Sequence, residues 1–118
     1  MVELPQYHGA MADWPEVVAV DGAQAALAGL SSNYHLIVAS NAIDSNASRL
    51  RDALRRVDLD SGIQDIFTSH EVEGKKPQRI YFQSIQSHLP PGSEYILVGD
   101  GYGTDVVGAW QAGWLSVW

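Results

Sequence analysis

The feature that most constrains the fold is an alternation of short apolar runs with amphipathic segments. The apolar runs occupy residues 36–39, 66–68, 95–98 and 115–118, and the segments with helical spacing occupy residues 23–30, 46–57, 78–89 and 104–112. Short apolar runs are typical of buried strands, and apolar residues at i, i+3, i+4 and i+7 are typical of helices. Strands that alternate with helices of this length predict an α/β domain with a parallel sheet.

Some helix details can be predicted from the same pattern. Asp44 or Ser45 is predicted to cap the helix over residues 46–57. In the helix over residues 23–30, Leu27 and Leu30 are predicted to lie with Ala26 on the apolar face. Gly113 is predicted to end the last helix.

The first fifteen residues have no such pattern and are interrupted by Pro5, Gly9 and Pro15. The short apolar run at residues 17–20 is predicted to be extended. We therefore divide the chain into an irregular segment, residues 1–16, and one α/β domain, residues 17–118.

Composition excludes several classes of function. The 118 residues are enough for one domain, and the absence of cysteine rules out disulfides and thiolate chemistry. The net charge of −7 argues against nucleic acid or an anionic membrane as a partner. We expect a cytoplasmic protein, because no apolar stretch is long enough for a membrane span and no secretory signal is visible.

Polar residues that could bind a ligand follow two of the predicted strands. In parallel sheets, ligands bind at the carboxyl ends of the strands. Ser40 and Asn41 follow the strand at residues 36–39, where a hydroxyl and backbone amides can hold an anionic oxygen, although both residues are also common in turns. Asp100 and Asp105 follow the strand at residues 95–98, and carboxylates of this kind suit Mg²⁺.

The loop at residues 99–105 contains three glycines, and Gly101 would let the backbone approach a ligand. A simpler interpretation is that Asp105 only caps the next helix. A dinucleotide-binding motif is discounted, because Thr104 stands where its third glycine would be. Further along the chain, Lys75 and Lys76 stand before a predicted helix, where an ammonium group can meet a phosphate or simply lie in solvent.

The order of a hydroxyl, a lysine and paired aspartates resembles the haloacid dehalogenase-like (HAD) hydrolase superfamily, in its phosphatase and dehalogenase branch. Residues 38–41 (VASN), 74–77 (GKKP) and 98–105 (VGDGYGTD) resemble its second, third and fourth motifs. The resemblance covers residues 17–118. It implies an incomplete HAD-like core, a three-layer Rossmann-like domain with a parallel sheet.

The resemblance also implies site roles. Ser40 and Asn41 would hold the phosphoryl group, with Gly101 close to the substrate. Either Lys75 or Lys76 would neutralise charge in the transition state. Asp100 would bind Mg²⁺, and Asp105 would support the lysine or the metal. The implied reaction is Mg²⁺-dependent hydrolysis of a small phosphorylated metabolite.

The first motif of this family, Asp-x-Asp, is absent from residues 1–30. Its first aspartate is a nucleophile that forms an aspartyl-phosphate. If residues 17–23 are a degenerate first motif, Ala19 replaces that nucleophile. We favour instead the interpretation that Asp21 and Gly22 lead into the helix before Ser40. In either case the chain is expected to be inactive alone.

The same absence would leave the centre of the sheet without a strand. Unpaired backbone groups are costly, so residues 17–20 or a strand from another chain is expected to fill this place. The chain resembles a piece of a hydrolase cut at both ends, and self-association as a homodimer or by strand swapping is expected. The alternative function is a non-catalytic phosphate-binding, metal-binding or assembly module.

Overall fold

Helices and strands alternate along the chain as the apolar pattern predicts. The computed structural model describes residues 8–118. In chain order the elements are α1 (Ala23–Ser31), β1 (Leu36–Ala39), α2 (Ala47–Arg55), β2 (Ile63–Phe67), α3 (Arg79–Ser87), β3 (Ile96–Val98), α4 (Gly108–Gln111) and β4 (Leu115–Val117). A π-helical turn, Tyr102–Val107, leads directly into α4. None of the helices within residues 8–118 is long and apolar enough to cross a membrane.

The strands form two parallel pairs. β1 pairs with β2, with Val38 opposite Ile66, and β3 pairs with β4, with Val98 opposite Val117. Parallel neighbours need a crossover connection, which α2 provides in the first pair and the π-helical turn with α4 in the second. The predicted α/β class with parallel strands is confirmed, as an incomplete Rossmann-like core. The chain divides into a first unit that ends at His70 and a second unit, Glu71–Trp118.

The core of the first unit forms where α2 packs against the β1–β2 sheet. Its buried residues are Leu50, Leu54, Leu59, Ile63 and Ile66. Asn46 caps α2, because its side chain accepts a hydrogen bond from the backbone N–H of Arg49 at 3.0 Å. The predicted cap at Asp44 or Ser45 is wrong, since the neighbouring amide side chain takes this position.

Helix α1 contributes less to that core than its apolar pattern predicts. Ala23 and Leu27 pack against the core cluster. Leu30 remains 42% exposed, and Ala26 is also exposed. The predicted apolar face is therefore correct at Leu27 and wrong at Leu30 and Ala26, because the helix contacts the core along one narrow line.

The core of the second unit forms around α3. Tyr81, Phe82 and Ile85 are completely buried, and the rings of Phe82 and Trp114 meet edge to face with centroids 5.0 Å apart. A Cβ on Gly108 would lie 3.0 Å from the Phe82 ring, so a glycine lets α4 approach α3 closely. Gly113 ends α4 with a φ of +79°, as predicted.

The predicted extended strand at residues 17–20 is not formed. These residues pair with no strand within residues 8–118, and Val18 and Val20 are about half exposed. Asp21 and Gly22 instead lead directly into α1, which agrees with the interpretation favoured from the sequence. An apolar run of four residues cannot form a strand without a neighbouring strand to pair with.

Part of the segment predicted to be irregular has structure of its own. A short 3₁₀ turn, Met11–Asp13, precedes the buried Trp14, while residues 1–7 of this segment lie outside the described residues. Arg56 of the first unit donates a hydrogen bond to the carbonyl oxygen of Ala12 at 3.1 Å. Asp13 accepts a hydrogen bond from Arg49 and thereby raises the pKa of this guanidinium above its ordinary value. These contacts fasten the turn to the region of α2.

Candidate active site

The strongest electrostatic feature of the second unit is an ion pair between Lys76 and Asp105. Lys76 Nζ lies 2.7 Å from Asp105 Oδ1, and the two side chains are only 13% and 9% exposed. Lys76 stands before Pro77 at the entrance to α3, and Asp105 lies in the π-helical turn after β3. Burial makes each charge depend on the other, because an unpaired buried charge is strongly unfavourable.

Asp105 has a second hydrogen bond that fixes its orientation. Its Oδ2 accepts the backbone N–H of Gly101 at 3.0 Å, and its own N–H donates to the carbonyl oxygen of Gly101 at 2.8 Å. The carboxylate therefore caps the turn and holds the lysine at the same time. The capping interpretation and the lysine-supporting interpretation are both compatible with this geometry.

Two glycines make room for this carboxylate. A Cβ on Gly99 would collide with the Asp105 side chain, and a Cβ on Gly101 would collide with Thr104. A larger residue at either position would push the carboxylate or its turn away. The glycines of this loop thus let the backbone approach the Asp105 carboxylate closely. The sequence had predicted a close approach of the same backbone to a ligand.

The two adjacent lysines have different surroundings. Lys76 is directed to the buried carboxylate, whereas Lys75 is exposed. The backbone N–H of Lys75 donates to the side chain of Gln78 at 3.0 Å, which shapes the entrance to α3. Their neighbouring positions in the sequence do not reveal this difference, because it depends on where Asp105 lies.

Asp100 is exposed, and its backbone carbonyl accepts a hydrogen bond from the indole N–H of Trp118 at 3.3 Å. Mg²⁺ commonly takes one or two protein carboxylates and completes its coordination with waters and phosphate oxygens. Asp100 is available as such a ligand. Asp105, the other predicted metal residue, contacts Lys76 through Oδ1 and the Gly101 N–H through Oδ2. Within residues 8–118 no three His, Asp or Glu side chains cluster as a metal site.

The first unit places Ser40 and Asn41 directly after β1. The backbone N–H of Ser40 donates to the carbonyl oxygen of Phe67 at 3.0 Å, which continues the β1–β2 ladder by one step. Ser40 Oγ accepts the backbone N–H of Ala42 at 3.0 Å, and Asn41 is exposed. The hydroxyl is therefore held in a tight turn at the carboxyl end of the strand.

Two further residues at this edge were missed by the sequence reasoning. Thr68 follows β2 as Ser40 follows β1, and it is completely buried. Its hydroxyl accepts the backbone N–H of His70 at 3.0 Å. Because adjacent parallel strands end at the same edge, Thr68 and His70 could have been found by applying the strand-end argument to β2.

Comparison with known proteins identifies the family of this chain. The sequence profile described as haloacid dehalogenase-like hydrolase matches residues 2–118. The chain belongs to the haloacid dehalogenase-like hydrolase family. No curated protein matches the sequence significantly.

Several solved structures are similar to the chain. A candidate HAD-hydrolase, YfnB from Bacillus subtilis, solved bound to magnesium, is 26% identical with a TM-score of 0.75, over 84% of this chain and 44% of that one. A HAD phosphatase from Thermococcus onnurineus is 29% identical with a TM-score of 0.60, over 78% of this chain and 42% of that one. The chain therefore spans less than half the length of both proteins.

A third structure supports the fold alone. An uncharacterized protein from Listeria monocytogenes serotype 4b is 21% identical with a TM-score of 0.82, over 94% of this chain and 66% of that one. Enzymes of the HAD family generally use Mg²⁺, and the solved Bacillus structure holds this ion. These similarities confirm the resemblance from which the sequence analysis drew its expected site roles.

Proposed function

We propose that this chain forms part of a phosphatase of the HAD family that hydrolyses the phosphomonoester of a small metabolite. The observation that carries the proposal is the buried ion pair between Lys76 and Asp105. A buried pair of this kind adds little to stability compared with apolar packing, so its presence calls for another explanation. An oriented ammonium group that stabilises charge on a phosphoryl group is such an explanation.

In this proposal Lys76, rather than Lys75, neutralises charge in the transition state. Asp105 holds Lys76 in position through its Oδ1 and fixes its own turn through the contact with Gly101. Asp100 is the residue of this loop that would bind Mg²⁺ directly. The bound ion would supply charge neutralisation at phosphate oxygens. Gly101 lets the backbone come close to the substrate.

The roles of Ser40 and Asn41 are proposed for the first unit separately. The hydroxyl of Ser40 is oriented by Ala42, and a hydroxyl can donate its own hydrogen to a phosphoryl oxygen while it accepts another. The exposed amide of Asn41 can donate to the same anion. The ligand we propose is therefore free phosphate or a small phosphate ester.

The nucleophile is the part that this chain is not expected to supply. No Asp-x-Asp occurs in residues 1–30, and the chain spans only part of its relatives. We infer that the chain alone does not turn over a phosphomonoester. This also favours a second candidate function, a non-catalytic module in the cytoplasm that binds phosphate or metal, or that associates with another copy or chain.

The test is hydrolysis of p-nitrophenyl phosphate with Mg²⁺, by the chain alone and with an added peptide that carries an Asp-x-Asp strand. We expect no turnover by the chain alone and measurable turnover with the peptide. Turnover by the chain alone would contradict our inference that the chain is inactive without a nucleophile from elsewhere. Phosphate binding without turnover in either mixture would favour the non-catalytic module.

The adjacent lysines offer an internal comparison in the same assay. Lys76→Met, at a temperature where its thermal transition shows it to be folded, is expected to lose the peptide-dependent turnover, because the substitution deletes the ammonium group that Asp105 orients. Lys75→Met is expected to retain most of it. The opposite result would transfer the proposed role to Lys75.

A further inference from the structure

His70 makes a side-chain contact that connects the ends of two strands in the first unit. Its ring Nε2 lies 3.1 Å from the backbone carbonyl oxygen of Ile43. A carbonyl oxygen only accepts hydrogen bonds, so Nε2 carries the proton and donates it here. The ring thus ties the segment after β2 to the loop after β1.

The backbone of His70 is itself anchored. Its N–H donates to the hydroxyl of Thr68 at 3.0 Å, and the Thr68 side chain is completely buried at the end of β2. The imidazole ring therefore extends from a fixed point. A ring with two rotatable bonds on a fixed backbone loses little conformational entropy when it forms a further hydrogen bond.

The loop that His70 contacts, residues 40–43, exposes two of its four side chains. The side chain of Ile43 is 74% exposed, and Asn41 is exposed as well. Within the loop, Ser40 Oγ accepts the N–H of Ala42, and the carbonyl of Ile43 accepts from the His70 ring. Ala42 packs against the core cluster, and hydrogen bonds hold the polar groups of Ser40 and Ile43 on either side of it.

We propose that His70 is a positioning residue for loop 40–43 and acts through the Ile43 carbonyl on the Ser40 turn. This rests on the proposed function, in which Ser40 and Asn41 bind a phosphoryl group. Loss of the contact would let the loop leave the conformation in which Ala42 orients the Ser40 hydroxyl beside Asn41. Phosphate affinity would then fall without a change in the anion-binding groups themselves.

The test uses the full chain, titrated with inorganic phosphate and followed by the backbone amide NMR signals of residues 40–43. His70→Ala is expected to weaken phosphate binding by about three- to tenfold, the usual effect of one hydrogen bond. His70→Gln places an N–H donor near the position of Nε2 and is expected to restore most of the affinity. His35→Ala is the matched control, since His35 stands before β1, at the end of that strand opposite to Ser40, and contacts Asp65 in the middle of β2.

Two outcomes would overturn the positioning role. One is a His70→Ala variant whose phosphate affinity and loop amide signals equal those of the wild type. The other is a His70→Gln variant that folds, by its thermal transition, but binds no better than His70→Ala. If the wild type binds no phosphate while His70→Ala still shifts the loop signals, the proposed function fails and the loop contact stands.

Discussion

In the first unit, Ser40 is held at the end of a half-buried strand by neutral hydrogen bonds, whereas in the second unit Lys76 and Asp105 form a buried ion pair. A neutral hydrogen bond contributes about 1 kcal/mol net, so its loss changes a loop without endangering the unit. A buried charge without its partner costs several times more. The candidate groups of the second unit are therefore coupled to its folding, and those of the first unit are not.

The cores differ in a corresponding way. In the first unit the strand residues Ile63 and Ile66 are buried beneath α2, so the sheet forms part of the core. In the second unit Ile96 and Val98 are 53% and 71% exposed, and the buried residues come mainly from α3 and Trp114. Packing of helix against sheet stabilises the first unit, and a cluster of aromatic rings stabilises the second.

The largest expected effect comes from Asp105→Ala. It removes the buried carboxylate that pairs with the Lys76 ammonium and should lower the free energy of unfolding by about 3–5 kcal/mol. Urea denaturation measures the loss, and amide hydrogen exchange shows whether it lies in residues 71–118. Asp100→Ala, at an exposed carboxylate, is the control and should change stability by less than about 0.5 kcal/mol.

A double substitution tests whether the charge of Lys76, rather than lost packing, causes this loss of stability. Lys76→Met with Asp105→Leu should be less destabilised than Asp105→Ala alone, since it removes both charges. A double variant as unstable as the single one, measured in the same denaturation experiment, would mean that packing rather than charge governs this position.

Leu54→Ala addresses the core of the first unit. Leu54 is 7% exposed within the core cluster, so its truncation should cost about 2–5 kcal/mol. Leu30→Ala, at a leucine that is 42% exposed, should cost far less. Thermal unfolding of both variants measures the difference, and equal losses would contradict the core that we assign to this unit.

Gly99→Ala tests the space around the Asp105 carboxylate in the second unit. Its new Cβ would meet the Asp105 carboxylate, and we expect a loss of about 1–3 kcal/mol from this overpacking. Gly103→Ala lies in the same loop, and a Cβ there has no atom within 4 Å. Urea denaturation of the two variants isolates the effect of crowding the carboxylate. A Gly99→Ala variant as stable as Gly103→Ala would disprove the tight contact between Gly99 and Asp105.

The smallest expected effect comes from Asn46→Ala in the first unit. Removal of the cap of α2 should cost about 1 kcal/mol, and Asn46→Asp should retain most of the stability. Asp44→Ala, at the cap position predicted from sequence, is the control and should be nearly neutral. Chemical denaturation checks all three variants, provided that the dependence of the free energy of unfolding on denaturant concentration is the same for each. A larger loss of stability in Asp44→Ala than in Asn46→Ala would reassign the cap to Asp44.

Local patterns in the sequence were sufficient to locate most elements. The spacing of Leu50 and Leu54 predicted α2, and the apolar run after Tyr95 predicted β3, because both depend on neighbouring residues in the chain. The same reasoning failed at residues 17–20 and at the cap of α2. A strand exists only where another strand pairs with it, and a cap depends on where the helix backbone begins.

For the candidate site, too, some features follow from the sequence and others only from the tertiary structure. Which residue types could serve a phosphate site was determined by the sequence, since hydroxyl, ammonium and carboxylate groups follow from residue identity and order. That Lys76 rather than Lys75 meets Asp105, and that His70 reaches the carbonyl of Ile43, was decided only by the tertiary structure. Contacts between residues 27 or 29 positions apart depend on the packing of whole elements, which no local pattern contains.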